Sequence, residues 1–227
     1  MRPFDLSGLR TYELQSRPSK VSVADLGRPA APATPLADFL DTLPKQLAAN
    51  ELRRVRDHVV RANREGKSVA VALGGHVIKT GCAPYLIDLI NRGVVTSVAM
   101  NGSAAIHDFE LAYSGHTSED VGAQLHAGRF GMARETADAF AAAATEGSQN
   151  ETGLGRALGA YLDRAGCQHP EASLVLAAYR AGIPCTIHVA LGTDIVHMHP
   201  QVSGAALGEA SMLDFRIFCT VVSRLGG

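Results

Sequence analysis

Three short apolar runs, each followed closely by glycine, alternate along this chain with longer stretches of helical periodicity. Ser68–Leu73 runs into Gly74-Gly75, Val94–Met100 into Asn101-Gly102, and Pro184–Leu191 into Gly192. Continuous apolar runs of this length, with no polar alternation, are what strands buried on both faces require. Between and after them, apolar residues recur every three to four positions. The spacing predicts helices over Thr80–Asn91, Ser103–Tyr113, Ser118 to about Glu146, Leu154–Ala165, Glu171–Ala181 and Ala205–Leu225. Gly93, Gly166 and Gly182 stand where helices should stop, and Gly128 and Gly131 mark a weak point in the longest one. Gly147–Glu151 and Gly192–Pro200 read as loops.

Upstream, Leu36–Arg64 is helical in pattern and should be split by Pro44. Residues 1–35 are irregular, and Arg28-Pro-Ala-Ala-Pro-Ala-Thr-Pro35 excludes regular helix. The expected organisation is thus an N-terminal arm over 1–35 and one domain over 36–227. Strand–helix alternation with long crossovers predicts an α/β fold, a Rossmann-like parallel sheet with helices on both faces. Three strands are few for a complete doubly wound sheet. The chain also closes on a helix and Gly226-Gly227 where another strand would begin, so the pattern reads as part of a longer domain.

Composition narrows the function. With 21 basic against 22 acidic residues and no basic cluster, nucleic acid is a poor partner. No apolar run reaches the ~18 residues of a membrane span, and the first twenty residues lack a signal-peptide layout. Cys82, Cys167, Cys185 and Cys219 are too widely spaced for a zinc or redox pair. A cytoplasmic protein with reduced thiols is expected.

Candidate chemistry gathers where the strands end, the edge at which open α/β sheets bind ligands. Gly74 and Gly75 allow close backbone approach, although the Gly74–Gly81 spacing matches neither common phosphate-loop pattern. Asn101, Gly102 and Ser103 open the next helix, where Ser103 could equally be its cap. His107, Asp108 and Glu110 follow within one turn. His107 and Glu110 share a helix face, a plausible acid–base arrangement, while Asp108 is offset by about 100°. Thr117-Ser-Glu-Asp120 reads as a helix start, and His126 and Glu135 could line the same space. Asp194 follows the third strand and could accept from a ribose or a substrate amine. His197 and His199 could bind a metal, but only 28 residues follow His199, unlike the barrel enzymes that open on His-x-His. Glu209, Ser211, Asp214 and Arg216 read as a polar face of the last helix.

The run Val94-Val-Thr-Ser-Val-Ala-Met-Asn-Gly-Ser-Ala-Ala-Ile-His-Asp-Phe-Glu110, with Thr117-Ser-Glu-Asp120, resembles the deoxyhypusine-synthase-like NAD-binding family. It is also similar to the NAD-binding C-terminal region of ornithine cyclodeaminases of the lysine-oxoglutarate-reductase/saccharopine-dehydrogenase type. The resemblance spans roughly residues 67–227 and implies NAD held by Gly74, Gly75, Asn101, Gly102, Ser103 and Asp108, in a homo-oligomer. It further implies transient hydride transfer at a C–N centre of a small amine or amino acid. His107 would be the acid–base group, and Asp194 or Glu110 would hold the amine. The Trp-Gly-Lys context of deoxyhypusine synthases is missing, since the chain has no tryptophan, so that specific activity is not expected. A non-catalytic nucleotide-binding scaffold is one alternative. A metal-dependent hydrolase using His197 and His199, with His188 and Asp194, is another.

Overall fold

Each apolar run forms a strand, and the three strands lie parallel in one sheet. In the computed structural model, which describes residues 3–225, these are β1 (Ala70–Leu73), β2 (Ser97–Asn101) and β3 (Cys185–His188). Their order is β1-β2-β3, with Ala70 opposite Ser97 and Val98 opposite Cys185. Ser97 and Ala99 on one face of β2, and Val98 and Met100 on the other, are all buried. Helices therefore cover both faces at the centre, which is the expected Rossmann-like arrangement and the reason the strands are apolar throughout.

The β1–β2 crossover carries α3 (Gly75–Lys79) and α4 (Ala83–Asn91). The β2–β3 crossover carries α5 (Gly102–Ser114), α6 (Val121–Leu125), α7 (Arg134–Gln149), α8 (Leu154–Ala165) and α9 (Leu174–Arg180), and α10 (Gly204–Ser223) follows β3. One predicted helix is shortened and one is broken: α4 starts at Ala83 instead of Thr80, preceded by the short α3, which the periodicity does not predict, and the helix expected from Ser118 to about Glu146 is interrupted. The turn at Gly81, in the left-handed region at φ 82°, separates α3 from α4. Between α6 and α7 the chain leaves helix at Gly128 and Gly131, with φ of 63° and 75°. Conversely, α7 runs through to Gln149, into the predicted loop, and α9 starts only at Leu174, after a single 3-10 turn over Pro170–Ala172.

The core is formed by Phe109, Phe140, Leu154, Leu158, Leu174, Leu176, Ile187 and Leu207, all essentially inaccessible to solvent. Small residues set the helix spacing. Ala139, Ala143 and Ala144 are buried on α7. A Cβ at Gly155 of α8 would collide with the Cys185 carbonyl of β3, so only glycine lets this helix lie against the strand.

The chain divides into two units, one ending at His58 and one beginning at Val59. In the first, residues 3–35 contain only two 3-10 turns, Leu14–Ser16 and Val23–Asp25, followed by α1 (Leu36–Thr42) and the start of α2 (Leu47–Arg64). The chain breaks between α1 and α2 at Pro44, as the sequence requires. There the Arg53 guanidinium donates to the carbonyls of Leu40, Leu43 and Pro44, at 2.8, 2.6 and 3.1 Å, satisfying acceptors that the end of α1 leaves free. The strands and all residues discussed below belong to the second unit. No helix among the described residues is long and apolar enough to cross a membrane.

Candidate functional site

The start of α5 is built by the residues that end β2. Asn101 is the N-cap, its Oδ1 accepting from the Ala104 amide at 2.9 Å, so Asn101 fills the capping role considered for Ser103. Residues 103, 107 and 110 then climb one face of the helix. Gly115 stops α5 with φ 77° and turns the chain back, which brings Thr117 beside that face.

Ser103, His107 and Glu110 line a cavity of about 260 Å³, together with Lys79 of α3, Glu119, Phe130, Asp194 and Ile195. The cavity therefore joins His107, Glu110 and Asp194, the three residues predicted to carry chemistry, although Asp194 lies more than eighty positions away in sequence. A second, more open hollow of about 500 Å³ shares Glu110, Ser118 and Glu119 and adds Tyr113, His116 and Glu135. His126 lines neither cavity.

Hydrogen bonds order the first cavity. His107 Nδ1 lies 2.6 Å from Thr117 Oγ1. Thr117 donates to Glu110 Oε2 at 2.6 Å, and Thr136 donates to Glu110 Oε1 at 3.1 Å. Both oxygens of Glu110 thus already have protein donors. Burial lowers the His107 pKa below the ordinary value, and the positive charges of Lys79 and His76 lower it further, so the ring is neutral at pH 7. Asp194 differs from Glu110. Its carboxylate rests on Gly102 at the first turn of α5, so closely that a Cβ there would overlap it. Its Oδ2 is buried without a hydrogen-bond partner. Burial raises its pKa, while the nearby His197 pulls the other way. Three carboxylates, Glu110, Glu119 and Asp194, face one ammonium, Lys79, which gives the cavity an acidic balance.

Of the six residues expected to hold NAD, Ser103 lines the first cavity and the other five divide into three groups. Gly74 and Asn101 are open at the carboxyl ends of β1 and β2; a Cβ on Gly74 would meet only Asn101 Nδ2, at 3.7 Å. Gly75 and Gly102 are buried against the protein's own side chains: a Cβ at Gly75 would stand 2.5 Å from Ser103 Oγ and 3.1 Å from His107 Cδ2. Their missing side chains let α3 pack on α5 and seat Asp194. At the first turn of α5, where a helix would receive a phosphate, the Asp194 carboxylate already sits. Asp108 departs most from expectation. It is wholly buried and outside the cavity, accepting from the Ser173 hydroxyl at 2.5 Å and from the amides of Leu174 and Val175 at 2.7 and 3.2 Å. The 100° offset from His107 turns Asp108 inward, where it caps α9.

The histidine pair does not converge. The His197 Nδ1 accepts from the Gly192 amide, while His199 Nε2 lies 2.7 Å from the Gly131 carbonyl and His188 bonds Thr186. Among the described residues no three His, Cys, Asp or Glu side chains gather as metal ligands do. On α10, Ser211 accepts from the Val189 amide and Asp214 turns inward to the amides of Gly155 and Ile187, so the face read as polar includes a buried carboxylate. Sequence reasoning missed Thr117 as a cavity residue and missed Thr136 and Phe130 altogether. The signal for Thr117 was the glycine stop at 115, which folds the next few residues back over α5.

No protein-family model matches the chain, and no curated protein does. Among solved structures, it is similar to ArgZ, an arginine dihydrolase from the ornithine-ammonia cycle in cyanobacteria, at TM-score 0.48 and 17% identity over 81% of this chain and 23% of that one. It is also similar to a conserved putative LOR/SDH protein from Methanococcus maripaludis S2, at TM-score 0.48 and 13% identity over 94% of this chain and 55% of that one. The chain therefore spans about a quarter and about half of the lengths of these two proteins.

Proposed function

We propose that the cavity binds a small amine or amino acid and takes a proton from it, with His107 as acceptor and Asp194 as anchor of the ammonium group. One observation carries this reading: a neutral imidazole and a carboxylate with a partnerless oxygen line the same acidic cavity at the carboxyl edge of the sheet. A buried carboxylate oxygen without a donor is costly, and an ammonium beside the carboxylate offsets part of that cost. Glu110 is less suited to the anchoring role because Thr117 and Thr136 already occupy it. Proton transfer to His107 converts the ammonium into a neutral amine with a free lone pair, the form that reacts as a nucleophile or hydride source.

The finer reading is NAD-dependent oxidation at the C–N centre, as the deoxyhypusine-synthase-like resemblance implies. It is favoured by Gly74 and Asn101, which stand open at adjacent parallel strand ends. These two residues would hold NAD, which would supply the hydride acceptor. The pyrophosphate would have to bind away from the first turn of α5, where Asp194 repels it.

The test is calorimetric titration of the protein with 1,4-diaminobutane and L-ornithine, each with and without NAD⁺. Amine binding weakened about 10- to 100-fold by Asp194→Asn is the expected result, the worth of a charged hydrogen bond. No heat from any cationic amine at millimolar concentration rejects the amine site. Saturable NAD⁺ binding weakened by Asn101→Ala supports the NAD-dependent reading, and its absence removes it.

A further inference from the structure

We propose that Thr117 is a positioning residue that fixes His107 in one tautomer and so makes Nε2 the atom that accepts the proton. The inference rests on the amine-site reading for its purpose but not for its geometry. A threonine hydroxyl has one hydrogen and two lone pairs. Glu110 Oε2, 2.6 Å away, can only accept when ionised, so the Thr117 hydrogen points to it. The oxygen then presents a lone pair to His107 Nδ1, also at 2.6 Å, and that nitrogen must carry the ring hydrogen. The direction is locked at the far end as well, because Thr136 donates to the other Glu110 oxygen. In a neutral ring this leaves Nε2 bare.

The chain Glu110–Thr117–His107 also prepares the ring for charge. When a substrate ammonium gives its proton to Nε2, the N–H bond breaks on the substrate, its electron pair stays as the amine lone pair, and the ring becomes imidazolium. That positive charge faces Glu110 through Thr117. On the other side, Lys79 and His76 disfavour the imidazolium, while Asp194 and Glu119 line the same cavity. Burial, Lys79 and His76 hold the His107 pKa below its ordinary value, so the ring gives the proton up again readily. A hydroxyl allows this where a carboxylate directly on Nδ1 would hold the imidazolium too firmly.

The measurement is a long-range ¹H–¹⁵N spectrum of the free protein, with histidine ring nitrogens labelled, above the titration of His107. The wild-type ring is expected in the Nδ1–H form, and Thr117→Ser keeps it there. Thr117→Val removes the acceptor, and the ring passes to the Nε2–H form. Glu110→Gln provides an independent check. With Thr136 still donating to its oxygen, the Gln amide donates to Thr117, the hydroxyl turns to Nδ1, and the ring again becomes Nε2–H. A wild-type ring in the Nε2–H form overturns the proposal. So does Thr117→Val that keeps Nδ1–H; if that variant does not fold, the same retention in Glu110→Gln decides against it. Because the tautomer is read without ligand, this result is separate from whether the cavity binds an amine.

Discussion

Replacing Asp108 tests whether the most conspicuous acidic residue of the His-Asp-x-Glu stretch is structural. Its carboxylate accepts three hydrogen bonds, from Ser173 Oγ and from the first two amides of α9. Those amides have no partner inside their own helix. In Asp108→Ala both are left buried beside a cavity, and each orphaned buried donor costs about 1–3 kcal/mol. The Ser173 cap on the Leu176 amide survives, at 2.9 Å, so the helix start is not lost entirely. The expected loss is about 3–5 kcal/mol, at the top of the range for single substitutions. In Asp108→Asn the side-chain oxygen satisfies one amide and the NH₂ group can reach the Ser173 oxygen. One donor remains unpaired, for about 1–2 kcal/mol. Urea unfolding followed by circular dichroism reads these values, the alanine variant losing about 1–2 M in midpoint at an unchanged slope. Native-state hydrogen exchange should place the loosening at Leu174 and Val175. If Asp108→Ala costs less than about 1 kcal/mol while NAD⁺ or amine binding falls, the capping account is wrong and Asp108 belongs to a ligand site.

Two further outcomes follow from buried groups. Gly155→Ala drives a methyl into the Cys185 carbonyl and forces α8 off β3, so it should cost at least about 3 kcal/mol or prevent folding, as read from soluble yield and thermal midpoint. Burial raises Asp108 to about 6 and Asp214 to about 7, from an ordinary 3.8. Between those values the folded chain keeps protons that the unfolded chain has released, so stability falls as pH rises from about 4 to about 7, by at most about 1.4 kcal/mol per unit for each group. Urea midpoints across this range should decline in the wild type and decline less steeply in Asp214→Asn, where Asp108 alone still keeps its proton. Midpoints that rise with pH in both would contradict the assignment.

The features legible in the sequence were those decided within a few residues. Val94–Met100 announces a strand because burial on both faces leaves no charged position in it, and Asn101-Gly-Ser103 announces a helix start within two residues, although the cap is Asn101 and not the Ser103 considered from sequence. Boundaries were less legible: β1 begins at Ala70, after Val69 has spent its amide on the Thr96 hydroxyl, a partner 27 positions away. The 118–133 stretch misled for the same reason. Its periodicity suits a helix, yet it is held open by Glu119 accepting from the Gly131 amide and by His199 on the Gly131 carbonyl. His107 and Glu110 could be paired from helix spacing alone. Asp194 could be nominated from its place after the third strand, but only the fold shows it seated on Gly102. Asp108 was the hardest, since the same carboxylate serves a ligand on one face of α5 and a helix N-terminus on the other. What decides between them is Ser173, 65 positions on, and no local pattern carries that contact.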